Sequence, residues 1–406
     1  MRTEGDNMNG LKRQNRAAVL MNLHRYGGLS RKRLAAMLRL TPAAMTKIVA
    51  ELISEGLVYE EGSMPSGGAG RREITLRLKT DSFCTLGVSI GLKKASVSAV
   101  RIDGAVIASE TVPLPNQAPA EETVKMLSER LLTLARENGV DRENVLGLGI
   151  AVRGVIAADG RTVKTTFDAL DTTDFPLCDR FETYTGLPSV LSNNVRALLA
   201  AQTFLSREEQ PESIFFLRCG SGIGAAFSAG GEILEGDKRQ CAEIGHIPVI
   251  KRGGKPCHCG KSGCLETIAS PAAIREDAEA CLSETETPLL WKLTNGKKDA
   301  VTTARVLDAA RGGDAGAARI CDRAAEALAD ALKSVVYLLD PGKLVLYGGI
   351  FEHPYFMSRL SAEMDVGVDA AHAAPMEKSR FNGKLESCAA GLLYTIHFYK
   401  NGGMTE

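Results

Sequence analysis

The chain has 406 residues, 44% of them hydrophobic and 24% charged, with 49 basic side chains balanced by 49 acidic ones. That length exceeds what a single core organises, so two or three domains are expected, and the lack of any run of about 18 apolar residues excludes a helical membrane span. The charge is unevenly placed: residues 1–80 hold 14 Lys and Arg against 7 Asp and Glu, a net of +7, which leaves −7 for the remainder. A basic module on an acidic body points to an anionic partner for the module alone. The opening residues lack the apolar core of a signal peptide, which predicts a cytoplasmic protein whose cysteines are reduced.

After about ten polar residues expected to lack order, Leu11–Arg25 has the periodicity of an amphipathic helix, with Val19, Leu20 and Leu23 on its inner side. Tyr26-Gly27-Gly28 stops it. Ser30 is placed to cap a second helix, Arg31–Leu38. A turn at Arg39-Leu40 leads to Thr41, which caps a third helix with Pro42 at its first position, where a missing N–H costs nothing. That helix is expected to run to Glu55, ahead of Gly56. Two strands, Leu57–Tyr59 and Ile74–Leu76, flank a loop of glycines and serines that closes in Arg71-Arg72. The order helix, helix, turn, helix, hairpin is that of a winged helix-turn-helix, assigned to residues 1–80. Thr41, Ala43, Ala44 and Thr46 are small enough to let the third helix approach a major groove, and Lys47 reaches a phosphate or base edge. Arg71 and Arg72 on the wing suit the DNA backbone or the minor groove. A protein-binding winged helix with a solvated basic face is the competing reading.

From Phe83 the pattern changes to strand, glycine turn, strand: Thr85–Ile90, Gly91, then Ala95–Val100 with a turn at Asp103-Gly104. A helix over Glu121–Glu137 and a buried strand over Val145–Val152 follow. A short strand, Leu187–Leu191, leads to Asn193-Asn194 before a helix over Val195–Leu205. Ser213–Leu217 repeats the opening, with Gly220-Ser221-Gly222-Ile223-Gly224 at its bend. Helices over Ala304–Arg311 and Ala315–Leu339, a strand over Lys343–Tyr347 ending in Gly348-Gly349, and a last helix over Ser387–Tyr399 complete the chain. Two halves that open alike predict an internally duplicated α/β fold with a cleft between its lobes. The first lobe is assigned to residues 81–193, completed by 387–406, and the second to 194–386.

Three of the ten cysteines, Cys257, Cys259 and Cys264, fall within eight residues, and His246 stands eleven positions before the first. Three thiolates and an imidazole complete a tetrahedral shell for Zn²⁺, and Gly260 and Gly263 can take the turn conformations that let the backbone wrap an ion. Four protein ligands leave no open position, so the loop 246–264 is expected to hold a structural zinc. The alternative is a loop of buried free thiols, with His258 a bystander in either case.

Glu243-x-Gly245-His246, Cys257-x-Cys259-Gly260-x-x-Gly263-Cys264-x-Glu266, the turn at Gly220–Gly224 and the Asp340-Pro341…Gly348-Gly349 segment together resemble the ROK family of sugar kinases and sugar-responsive repressors. The resemblance covers essentially the whole chain, because the repressor branch carries a winged helix. It implies an actin/hexokinase-like, duplicated ribonuclease H-like fold. It also implies that Asn193, Asn194, Glu243, His246 and Glu266 line an effector site for a sugar or sugar phosphate. Carboxylates suit such a site because they accept two hydroxyl hydrogen bonds. Surface charge is the bland alternative for the two glutamates.

A kinase of this family needs an Asp in the first glycine turn to hold Mg²⁺-ATP and an Asp as the base that deprotonates the sugar hydroxyl. Ser89 and Asn194 stand at those places, and an amide cannot accept that proton. Gly220, Ser221, Gly222 and Gly224 remain as a possible nucleotide turn. Arg153 stands where the family commonly has proline, and either contacts an anionic effector or pairs with a neighbouring carboxylate. The resulting expectation is a repressor without catalytic residues that binds a DNA operator as a homodimer or homotetramer, with effector binding altering lobe closure. An ATP-dependent sugar kinase with a DNA-binding appendage is the alternative.

Overall fold

A computed structural model describes residues 4–64, 73–115, 117–167 and 169–404. The chain divides into two compact units, Met1–Gln210 with Gly383–Glu406, and Pro211–Asn382.

The first unit opens with α1, Glu4–Tyr26, β1, Leu29–Ser30, and α2, Arg31–Leu38. The start at Glu4 corrects the disorder expected before Leu11; no proline separates the two points, and Gly5 and Gly10 weaken a helix without ending it. Val19, Leu20 and Leu23 are buried, as their spacing requires. The hydroxyl of Ser30 accepts from the Arg33 amide. α3, Pro42–Ser54, starts with the Thr41 hydroxyl accepting from the Ala44 amide and Pro42 in the first turn. Met45, Ile48, Val49 and Leu52 form its buried face. β2, Val58–Met64, pairs with β3, Glu73–Leu78, and β3 also takes β1, giving a three-stranded sheet in the order β1-β3-β2. This is the winged helix-turn-helix, with β1 as the strand the sequence did not announce.

The rest of the unit is built on a five-stranded sheet. β4, Cys84–Ile90, β5, Lys94–Arg101, and β6, Val106–Pro113, form an antiparallel meander. After α4, Ala120–Glu137, come β7, Val145–Val152, α5, Leu177–Thr185, and β8, Ser189–Asn193. The sheet order is β8-β7-β4-β5-β6, with β8, β7 and β4 mutually parallel. α6, Asn194–Leu205, and the C-terminal helix, Lys384–Lys400, pack on each other within this unit. The chain therefore leaves the first unit after Gln210, not at the 193/194 boundary drawn from the sequence.

The C-terminal helix lies so close to the sheet that a Cβ on Gly149 of β7 would stand 1.7 Å from the Ala390 carbonyl oxygen. The winged helix meets the same region through α1. His24 Nε2 donates to the Phe204 carbonyl at 2.8 Å, and its ring stacks on Phe204 at 3.8 Å between centroids. Burial pushes the His24 imidazole below its ordinary value, with the Phe204 carbonyl opposing and Arg207 adding to the shift. The unfolded chain therefore takes up a proton near about pH 6.5 that the folded chain refuses, so stability is complete above that pH and falls as pH drops below it. A urea midpoint followed from about pH 7.5 to 5.5 should fall, and His24→Gln should flatten that fall.

The second unit repeats the scheme. β9, Ser213–Cys219, β10, Ile223–Ala229, and β11, Glu232–Ile233, form the meander. α7, Pro271–Ala280, and α8, Ala315–Leu339, lead to β12, Lys343–Tyr347, then α9, Pro354–Asp365, and β13, Met376–Lys378. The order β11-β10-β9-β12-β13, with β9, β12 and β13 parallel, has the same topology as the first sheet. The duplication expected from the glycine turns is present strand for strand. Each unit carries its own apolar core. Among the described residues no helix is long and apolar enough to cross a membrane.

Candidate metal centre and its surroundings

The second unit brings Cys257, Cys259, Cys264 and His246 together. One ligand atom from each lies within 4.8 Å of all the others. The local chain path explains how. The Gly260 amide returns to the Cys257 carbonyl at 3.0 Å and the Cys257 amide to the Lys261 carbonyl at 2.8 Å, closing a tight turn that points two thiols the same way. Gly260 and Gly263 both hold positive φ, as expected of them. Pro248 pairs with Cys264 and Pro256 with Ser262 as isolated bridges, which folds the spacer back beside the short turn Ile244–His246. Lys255 pairs with Asp277 of α7, and Arg323 of α8 reaches the same carboxylate at 2.5 Å, so the loop is anchored to two helices.

The donor set passes a geometric test. Zinc–sulfur bonds of about 2.3 Å in a tetrahedron put neighbouring ligand atoms about 3.8 Å apart. Cys259 Sγ to Cys264 Sγ is 3.6 Å and Cys257 Sγ to His246 Nδ1 is 3.5 Å. Burial, reinforced by the neighbouring thiols and Glu266, pushes the Cys257 thiol up to about 12, and burial raises Cys264 as well. Three thiols so crowded cannot all ionise without a cation among them, and a coordinated cation removes that penalty. These residues could hold a tetrahedral metal ion.

Glu266 follows Cys264 by two positions and begins the short helix Glu266–Ala269. Its Oε2 accepts from the Ile223 amide at 3.1 Å, and its Oε1 lies 2.9 Å from His258 Nδ1. Residues 220–224 are therefore held against the cysteine loop by one carboxylate. A Cβ on Gly222 would stand 2.2 Å from Glu266 Oε2, so a side chain there would displace that carboxylate. His258, a bystander by its spacing, is a hydrogen-bond partner of Glu266. The sequence carried no signal for that contact beyond the histidine's position between two ligands. His246 Nδ1 is 4.0 Å from Glu266 Oε1, and Glu243 precedes the same turn. Glu243, His246, Glu266 and the glycine turn thus share one neighbourhood of the second unit.

In the first unit Asn193 caps α6, its Oδ1 accepting from the Val195 amide at 2.9 Å while its Nδ2 donates to the Gly154 carbonyl at 3.1 Å. Asn194 is the first residue of α6. Ser89 sits near the end of β4, opposite Ala151 of β7, and Ser192 of β8 is opposite Ala151 as well. Ser89, Asn193 and Asn194 therefore lie at the carboxyl ends of β4 and β8, on either side of β7, at the edge where open α/β sheets place ligands. The Arg153 amide donates to the Ile90 carbonyl at the same edge.

On the winged helix, Thr41, Ala43, Thr46 and Lys47 are exposed and Ala44 is half-buried, so the expected face of α3 is turned outward. The Thr46 hydroxyl donates to the Pro42 carbonyl at 2.8 Å, leaving its methyl group on the surface. Arg71 and Arg72 lie outside the described residues.

A family model for ROK matches residues 85–384 and one for MarR matches residues 9–71. NagC of Escherichia coli K12, a DNA-binding transcriptional dual regulator, is 28% identical over 353 residues, covering 85% of this chain and 83% of its own. The glucokinase of Halalkalibacterium halodurans is also 28% identical, over 265 residues, or 65% of this chain and 80% of that enzyme. The crystal structure of a ROK family transcriptional regulator, a homologue of E. coli Mlc, has the same fold with a TM-score of 0.83 at 22% identity, covering 97% of this chain and 98% of that one. With its match spanning both units and their duplicated sheets in place, the chain belongs to the ROK family.

Proposed function

We propose that this chain is a sugar-responsive, DNA-binding transcriptional repressor without kinase activity. The observation that carries the reading is the winged helix, whose capped α3 turns small side chains and Lys47 outward ahead of the ROK match over residues 85–384. Relatives that share most of their length with this chain include the N-acetylglucosamine repressor of Shigella flexneri, and that relative's name supports a carbohydrate effector for this chain. Glu243, His246 and Glu266 of the second unit, and Asn193 and Asn194 of the first, are the residues proposed to contact a sugar or sugar phosphate. Asn193 uses one N–H and one oxygen lone pair on the Gly154 carbonyl and the α6 cap, which fixes its orientation and leaves one of each for a sugar hydroxyl. His246, Cys257, Cys259 and Cys264 are assigned a structural Zn²⁺, which holds the loop that carries Glu266 and takes no part in chemistry.

The absence of catalysis rests on Ser89 and Asn194. Neither supplies a carboxylate for Mg²⁺-ATP or for taking a proton from a sugar hydroxyl, and loss of a general base alone costs about 10²–10⁴-fold. Gly220, Ser221, Gly222 and Gly224 are retained as a turn that could still take a nucleotide, with the Glu266 carboxylate lying against Gly222. Coupled ADP release across a panel of hexoses and amino sugars is expected to stay at background. Turnover comparable to a sugar kinase would reverse the assignment. Capture and sequencing of genomic fragments on the purified chain tests the other half: a shared pseudo-palindromic sequence supports a two-fold homodimer or homotetramer on an operator, and unselective recovery counts against it.

A further inference from the structure

The bulkiest fully buried side chain among the described residues is a charged one, Arg16 of α1, only 1% exposed. Its Nε donates to the Gly402 carbonyl at 2.7 Å, its Nη1 to Glu51 at 3.2 Å and Glu55 at 2.9 Å, and its Nη2 to the other oxygen of Glu55. Glu51 lies in the last turns of α3 and Glu55 just after it, while Gly402 follows the C-terminal helix. One guanidinium thus joins the first helix of the winged helix, the helix proposed to read DNA, and the end of the helix that spans the first-lobe sheet. The planar fork of arginine can serve three acceptors at fixed angles, which an ammonium cannot. A buried guanidinium stripped of its acceptors is costly, so the three segments are obliged to stay together.

A second junction lies beside the first. His24, two turns along α1, stacks on Phe204 and meets Tyr399 edge-on. Phe204 is near the end of α6, a helix of 12 residues that begins at Asn194 and is about 18 Å long. The C-terminal helix is pressed against the sheet by backbone contact at Gly149. Rigid elements therefore run without interruption from the strand ends that carry Ser89, Asn193 and Asn194 to α1 and α3.

We propose that Arg16 is the positioning residue that fixes α3 to the first lobe, so that the winged helix and this lobe move as one body. The docking itself is independent of what α3 binds; its consequence for regulation rests on the DNA-binding function proposed above. On that function, any displacement of α6 by an effector is passed to the DNA-reading helix and is not lost in a flexible linker.

Hydrogen–deuterium exchange of the full chain tests this. Arg16→Met should speed exchange in residues 42–54 and 398–404 by about ten-fold or more, while β4 and β7 exchange as in the wild type. Arg16→Lys, which keeps the charge but not the fork, should behave like Arg16→Met. Glu55→Gln, at a half-exposed position, should give the same pattern more weakly and stands in if Arg16→Met does not fold. Lys12→Met, which removes only the exposed partner of Glu51, should change nothing. Unaltered protection of α3 in Arg16→Met and Glu55→Gln overturns the proposal, as does faster exchange spread evenly through β4 and β7. Fluorescence anisotropy with a mixed-sequence DNA duplex separates the two ideas. A wild type that ignores DNA counts against the DNA-binding function, while the exchange pattern still decides the docking.

Discussion

Removing the proposed zinc with a chelator, or replacing Cys264 by Ser, is expected to release the 246–266 segment and lower the thermal midpoint of the second unit by about 10 °C or more. Cys264 is completely buried and its sulfur faces Cys259 at 3.6 Å. Without an ion, burial keeps Cys257 a protonated thiol, so the cluster loses the thiolate that would bind a metal. Structural zinc sites in small domains are worth on the order of 10–16 kcal/mol, and even a quarter of that exceeds what the few loop hydrogen bonds supply. The loss should travel, because Glu266 ties the loop to the Ile223 amide and Lys255 ties it to Asp277. Elemental analysis should give about one zinc per chain for the wild type and less than about a tenth of that for Cys264→Ser. Calorimetry should place the lost stability in the second unit and leave the first unchanged. A metal-free protein with an unaltered second transition would remove the metal from this account.

Gly149→Ala is expected to destabilise the first unit by more than about 3 kcal/mol, or about 10 °C in its midpoint, although it adds a single methyl group. The new carbon would lie 1.7 Å from the Ala390 carbonyl oxygen, and both atoms belong to backbones that have little room to yield. β7 is interior to the sheet, paired with β4 on one side and β8 on the other, so it cannot retreat. The C-terminal helix would have to lift, and with it the Gly402 carbonyl that accepts from Arg16. Alanine at Gly139, a loop position of positive φ where an added Cβ would meet nothing within 4 Å, should cost only about 1 kcal/mol and serves as the control. Urea denaturation of both variants measures the difference.

Much of this was legible in the sequence because it depended on local chemistry. The Ser30 and Thr41 caps, the Pro42 start and the span of α2 follow from side chains that satisfy helix-end amides. The cysteine cluster was legible because its spacing is short enough to be geometry. What escaped was decided at long range. β6 is an edge strand with half-exposed residues and weak alternation, and β1 is two residues long, so neither had a periodic signal. α6 was assigned to the wrong lobe because a sequence shows where a helix begins but not which helix it packs on. Arg16 stands three and four positions before Val19 and Leu20, on the apolar stripe of α1, and that misfit was a visible sign of a buried ion pair. The link between Glu266 and Ile223 crosses 43 positions and left no trace in the sequence.

The central claim is that α3 reads DNA in a chain regulated by sugar, and a salt titration of DNA binding tests it most directly. Anisotropy of a labelled duplex selected by genomic capture should show a log–log slope against salt whose magnitude falls by about one on Lys47→Ala, with affinity reduced for all sequences alike. Titration with a panel of sugars and sugar phosphates should find one that shifts the wild-type binding curve and leaves a Glu266→Gln variant unmoved. Binding that ignores salt, survives Lys47→Ala unchanged and responds to no sugar would contradict the account.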